Sequence, residues 1–165
     1  MLPFFGEECT VRVFHRRWQF REEGVKKFIE QIPAVFEKGN AEGTISSVNS
    51  AVLSTIVEIF KDKVQQIIML SFDASEEYVN QLSQFQSLTV RSDQAAFERF
   101  LTYMLDRLTD QKVSLKTQRL YMKLYEVKQI DGAYLTAFLF KQTSFINQTN
   151  VNSVLHLSMR LRVVE

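Results

Sequence analysis

The chain has 165 residues, of which 45% are hydrophobic and 24% are charged, and this composition excludes an intrinsically disordered protein. Its formal net charge of +1 provides no basic field, so nucleic acid is not an expected partner. The sequence holds 5 Gly and 2 Pro, too few for the many tight turns of an all-β sandwich or barrel.

The N-terminal third of the chain has helical periodicity. Apolar residues between Val11 and Phe36 recur at gaps of three, four and seven, which predicts an amphipathic helix interrupted near Trp18–Arg21. Pro33 and Gly39 are typical of a helix end, so they predict the close of the first unit there. The cluster of small polar residues and glycines that follows predicts a loop over Glu37–Ser47.

A second helical stretch begins at Val48 and breaks at Lys61–Lys63, after which the apolar face resumes as far as Phe72. The residues Asp73–Glu77 resemble a helix cap and predict a further short helix that begins there. Four more helical segments follow, the first opened by Ser92-Asp93 and each bounded by polar turns. The predicted segments and turns are Phe97–Leu108, a break at Thr109–Lys112, Val113–Val127, a turn at Asp131-Gly132, Tyr134–Phe140, a polar loop at Gln142–Asn150 and Val151–Val163.

Pairs of helices with a short inner turn recur in units of roughly 40 residues. This pattern predicts an all-α, HEAT-repeat-like array of about four helix pairs, in which residues 1–165 form a single domain. An ordinary helical bundle is the alternative fold. The inner turns are expected at 16–20, 60–63, 109–112 and 142–150. The helical spacing also places five phenylalanines in the core, namely Phe14, Phe28, Phe60, Phe97 and Phe100.

Catalytic and metal-binding motifs are missing from the sequence. His15 and His156 are the only histidines, and neither has a metal-ligating spacing. A single cysteine, Cys9, excludes an internal disulfide and a cysteine-based zinc site. No glycine-rich phosphate loop, nucleophile elbow, signal peptide or run of about 18 apolar residues occurs. We therefore expect no enzyme, no cofactor, no metal and no membrane partner.

The segment Phe5-Gly6-Glu7 is followed after ten residues by Trp18-Gln19-Phe20-Arg21-Glu22-Glu23. A tryptophan at a break between two helices, with Arg-Glu opening the second, resembles the first HEAT unit of TOG domains. These domains are the tubulin-binding modules of the chTOG, CLASP and crescerin proteins, and the likeness is greatest to the divergent TOG domains of ciliary-tip centrosomal proteins. The later stretches Ile56–Gln66, Glu98–Gln118 and Ser153–Met159 are similar to the following units.

The resemblance implies a flat paddle whose inner turns line one edge and hold tubulin or microtubule ends, in the cytoplasm at a cilium tip or centriole. Tubulin is acidic, so cations on this edge would accelerate encounter, and an exposed Trp18 would be the anchor. Eight residues are implied as tubulin contacts: Arg16, Arg17, Trp18, Gln19, Lys61, Lys63, Lys112 and Lys116. The fourth turn would add Asn147 and Gln148.

Two alternatives stay open. A lone tryptophan on a helix is often a core residue, and a buried Trp18 would favour a HEAT-like scaffold that binds another ciliary or centrosomal protein without contacting tubulin. TOG arrays usually carry six units whereas this chain has about four. The chain is therefore expected to be a fragment, a shortened version or an array that a partner completes.

Overall fold

The computed structural model describes residues 1–85, Leu88 and residues 93–143, and all regular elements within them are helical. The predicted all-α class is thereby confirmed. A short 3-10 turn at Arg107–Thr109 follows the fifth helix. The helices are α1 (Leu2–Val13), α2 (Trp18–Ala41), α3 (Ile45–Phe60), α4 (Gln65–Gln84), α5 (Gln94–Asp106), α6 (Ser114–Glu126) and α7 (Gly132–Thr143). The predicted helix Val151–Val163 and most of the predicted loop 142–150 lie outside the described residues.

Helix α1 packs on α2 and α3 on α4, whereas α5 and α6 both contact the 3-10 turn between them, and the helices stack into two layers. In one layer α2 packs on α4 and α4 on α6, whereas in the other α3 packs on α5. α7 continues the second layer, since the Tyr134 hydroxyl lies 3.4 Å from Glu98 Oε1 on α5. This arrangement is a HEAT-like array of three helix pairs followed by the first helix of a fourth, and it excludes the bundle alternative.

A connected set of aromatic rings crosses the core. The Phe60 ring lies 5.2 Å from Phe72 and 6.2 Å from Phe100, measured between centroids. Tyr78 in turn lies 6.0 Å from Phe100 and 6.4 Å from Phe36. These five rings come from α2, α3, α4 and α5, so they join the first three helix pairs across both layers.

Glycines allow two features of the first pair. Gly6 has φ of +76°, a conformation that side chains with a Cβ rarely adopt, and it kinks α1 just after the buried Phe5. Gly24 on α2 faces α1 so closely that a Cβ there would lie 2.5 Å from the Val13 backbone nitrogen. The tight approach of α1 to α2 therefore requires glycine at position 24.

The prediction that Pro33 and Gly39 end the first unit was wrong. Helix α2 continues through Pro33 to Ala41 and leaves a turn of three residues, so the predicted loop Glu37–Ser47 is also wrong. A proline removes one helical hydrogen bond, but the buried face of α2 extends past it through Phe36 and outweighs that loss. Gly39 serves helix packing instead, since a Cβ there would lie 2.7 Å from Val48 Cγ2 on α3.

The predicted helix start at Asp73–Glu77 was wrong as well. These residues lie inside α4, where Ala74 and Ser75 are buried and the Ser75 hydroxyl donates to the Ser71 carbonyl at 2.6 Å. Burial of this stretch overrides its local capping preference. Asp93, in contrast, caps α5 as predicted, since its side chain accepts the Ala96 N–H at 3.4 Å.

Candidate functional site

The first inner turn is Phe14–Arg17, between the end of α1 and Trp18, the first residue of α2. A hydrogen bond within the turn stabilises its conformation, because the Arg17 backbone N–H donates to His15 Nδ1 at 3.1 Å. The His15 ring packs edge-to-face against Phe20, with 4.7 Å between the ring centroids. The turn therefore presents its side chains from an ordered backbone.

Arg21 joins the first turn to the second, which comprises Lys61–Val64 between α3 and α4. Its Nε donates to Asp62 Oδ2 at 2.7 Å and its Nη2 to Asp62 Oδ1 at 3.1 Å. Its Nη1 donates to the carbonyls of His15 at 2.9 Å and Arg16 at 2.8 Å. One guanidinium group thus holds the backbone of the first turn against the carboxylate of the second.

The electrostatics of Asp62 fit this arrangement. Burial of the carboxylate raises its pKa, but the hydrogen bond from Arg21 and the backbone N–H of Val64 lower it by more. The pKa of Asp62 is therefore below its ordinary value, so Asp62 is ionised at neutral pH and remains paired with Arg21.

The third turn lies beside the second. Arg107 Nη2 donates to the Phe60 carbonyl at 3.0 Å, which connects the end of α5 to the end of α3. Within the third turn, the Asp110 side chain accepts the Lys112 N–H at 3.0 Å and its carbonyl accepts the Ser114 N–H at 2.8 Å. The turns 14–17, 61–64 and 110–113 consequently form one continuous surface, called here the inner edge.

The cations expected at this edge differ in their pairing. Lys61 binds Glu58 Oε1 at 2.5 Å and lies over the Tyr103 ring, 5.8 Å from its centroid. The hydrogen bond that Lys61 donates to Glu58 raises the pKa of Lys61. Lys116 pairs with Asp73 Oδ1 at 2.6 Å, which directs its side chain to α4 and away from the edge. These two lysines are committed to intramolecular ion pairs.

The remaining cations of the edge are free to meet a partner. Arg16, Arg17, Lys63 and Lys112 are exposed, and none of them has an ion-pair partner within residues 1–85 and 93–143. Two of the four are on the first turn, one is on the second and one is on the third. The inner edge therefore carries unpaired positive charge along its whole described length.

Aromatic side chains surround the first turn. The Trp18 side chain is 37% exposed, and its neighbour Gln19 is exposed as well. Phe14 is 53% and Phe20 is 39% exposed, although the periodicity predicted a core position for Phe14. That prediction was wrong because α1 ends at Val13, so Phe14 leaves the helical face it was counted on. The other four predicted core phenylalanines are buried.

Other kinds of site have little support in the described part of the chain. It contains no group of three His, Cys, Asp or Glu residues that could hold a metal ion. No helix within it is long and apolar enough to cross a membrane. Cys9 is buried beneath α2, with its Sγ 3.8 Å from the Gly24 carbonyl, and burial raises the pKa of its thiol.

Comparison with known proteins identifies the fold. No protein-family model matches the chain, and no curated protein matches its sequence. Among solved structures, the TOG domain of human Cep104 superimposes with a TM-score of 0.75 at 13% sequence identity. The superposition covers 99% of this chain and 63% of that one, so the chain spans less than two thirds of the solved domain. The fold is therefore that of a TOG domain, a HEAT-like helical array.

Proposed function

We propose that this chain binds αβ-tubulin through the inner edge, as the TOG-like fold implies. The observation that carries the proposal is the joining of three inner turns into one surface by Arg21 and Arg107. In TOG domains the equivalent turns are the surface that meets tubulin.

The charge of the edge supports an acidic partner. Unpaired cations accelerate encounter with an acidic surface and fix the orientation of the complex, and they do so without first breaking an internal ion pair. Arg16 and Arg17 meet this condition on the first turn, as do Lys63 and Lys112 farther along. Lys61 and Lys116 contribute less to this proposal, because Glu58 and Asp73 already neutralise them.

Trp18 supports the same assignment. Its partial exposure at the start of α2 leaves indole surface that a partner would cover, and tryptophan and arginine dominate the energetics of protein interfaces. The proposed setting is a microtubule end at a cilium tip or centriole, where other ciliary or centrosomal proteins are further candidate partners.

The test is gel filtration of the chain with soluble αβ-tubulin at low salt. A double reversal, Arg16→Glu with Arg17→Glu, should abolish co-elution because it replaces two free cations on the first turn. The matched control is Arg119→Glu with Lys128→Glu, which changes the net charge equally at exposed positions away from the inner edge. Equal loss of co-elution in both variants would show that net charge, and not the position of Arg16 and Arg17, causes the effect. A folded wild-type chain that never co-elutes would favour the alternative, a scaffold for another ciliary or centrosomal protein.

A further inference from the structure

The first turn exposes more aromatic surface than a single anchor requires. Phe14, Trp18 and Phe20 are all exposed and lie within seven consecutive residues, and they are called here the first tip. Eight other phenylalanines of the described residues are buried, so this exposure is unusual for the chain. Aromatic side chains are enriched at protein interfaces, so three exposed rings around one turn mark a candidate contact surface.

The three rings of the first tip cover different sides of it. Phe14, which follows α1, lines a groove of about 410 Å³ between α1 and α3 together with Ala51 and Ser54. Trp18 and Phe20 are two positions apart on α2, which places them roughly 200° apart around the helix axis. Trp18 and Phe20 therefore lie on opposite sides of α2, and the Phe20 ring packs on His15. The apolar surface therefore wraps around the tip.

The charges of the first tip are confined to its apex. Arg16 and Arg17 are the last two residues of the turn and have no carboxylate partner among the described residues. Arg12, one turn before, is paired with Glu23 at 2.6 Å, and Arg21, one turn after, is paired with Asp62. Unpaired positive charge is thus present in the turn between α1 and α2, whereas the arginines on either side of it form ion pairs.

We infer that the first tip is a knob that inserts into an apolar pocket with acidic groups, so that Phe14 and Phe20 are anchors in addition to Trp18. A flat partner surface would cover one side of the tip and leave the other rings in water. A pocket covers all three and brings its acidic groups to Arg16 and Arg17. This inference rests on the proposed function, since it specifies the surface of tubulin that the edge would meet.

The test compares the affinity of single variants for αβ-tubulin by biolayer interferometry. Phe14→Ala and Phe20→Ala should each weaken binding at least about tenfold, as truncation of interface anchors does. Phe14→Leu retains apolar bulk and should bind better than Phe14→Ala. Met122→Ala is the matched control, because Met122 is also an exposed apolar residue at 45% but lies in the middle of α6. Its affinity should stay within about twofold of wild type.

Three results would overturn the inference. If both phenylalanine variants bind like wild type while Arg16→Glu with Arg17→Glu does not, tubulin meets the edge as a flat surface and the proposed function stands. If Phe14→Ala and Phe20→Ala melt as early as a core variant, the rings support the fold and are not anchors. If the folded wild-type chain does not bind tubulin, the proposed function fails, and the inference fails with it.

Discussion

Replacing Arg21 by alanine removes the side chain that joins the first two turns of the inner edge. The variant loses four hydrogen bonds, two to Asp62 and two to the carbonyls of His15 and Arg16. It also leaves the Asp62 carboxylate with the backbone N–H of Val64 but without its cation. The expected results are a less stable chain and a first turn that is no longer held against the second.

The magnitude follows from the burial of the pair. Breaking a fully buried ion pair costs about 3–5 kcal/mol, whereas an exposed pair contributes about 0–1 kcal/mol. The side chains of Arg21 and Asp62 are 20% and 11% exposed, so this pair lies between these limits. We expect Arg21→Ala to lower the free energy of unfolding by about 2 kcal/mol. In a chain of this length that loss corresponds to a decrease in Tm of about 4–8 °C.

Thermal unfolding followed by circular dichroism measures the loss, and its pH dependence tests the cause. Because the pKa of folded Asp62 is below its ordinary value, the pair contributes fully above about pH 4 and is lost as the pH falls through the pKa of the folded state. The difference between wild type and Arg21→Ala should therefore be constant from about pH 5 to about pH 7, a range above the ordinary Asp pKa of about 4, and should shrink at lower pH.

Arg12→Ala is the control for this measurement. Arg12 pairs with Glu23 at 2.6 Å, but the two side chains are 39% and 56% exposed, so its removal should cost less than about 1 kcal/mol. Equal losses for Arg12→Ala and Arg21→Ala would refute the reasoning from burial. A difference at acidic pH as large as that at pH 7 would exclude Asp62 as its source.

Three further outcomes are expected. Trp18→Ala should weaken tubulin binding by about 2 kcal/mol and destabilise the chain by less than the roughly 3–5 kcal/mol that truncation of a core ring costs. In the free wild-type chain, acrylamide should quench the fluorescence of this sole tryptophan. Blue-shifted emission that is protected from the quencher would contradict the exposed position. Phe100→Ala should cost about 3–5 kcal/mol in urea unfolding, because its ring is fully buried against Phe60 and Tyr78, and a loss near zero would contradict its core position. Gly24→Ala should lower Tm far more than the control Gly132→Ala, because a Cβ at position 132 would meet Tyr125 at an ordinary contact distance of 3.4 Å. Equal Tm values for the two variants would exclude the close approach of α1 and α2 as the reason for glycine at position 24.

Hydrophobic periodicity predicted the helix pairs of the described residues, because the apolar face breaks at or next to the turns 14–17, 61–64 and 110–113. Lys61–Lys63 interrupts a long apolar stretch, and α3 does end at Phe60. Local signals failed where packing outweighed them. Pro33 lies inside α2, because the helix buries apolar residues on both sides of it.

The sequence predicted where the candidate site lies, but not which of its lysines form intramolecular ion pairs. The spacing between Glu58 and Lys61 is that of a helical ion pair and could have been found from the sequence. Lys116 pairs with Asp73, 43 positions away, so no local pattern reveals that it points away from the inner edge. The exposure of Phe14 depends on the residue at which α1 ends, and helix boundaries are the least certain part of a periodicity argument.

The connected rings of the core bear on how this array unfolds. Repeat arrays behave nearly as one-dimensional chains of units, each coupled to its neighbours, and their ends can open while the middle stays folded. Here the rings of Phe36, Tyr78, Phe100 and Phe60 pass through three consecutive units without a gap. Opening any one of these units would expose a ring that the next unit packs against. The first three units should therefore unfold in a single cooperative step, and a partner that binds the first turn would also protect the amides of the third from hydrogen exchange.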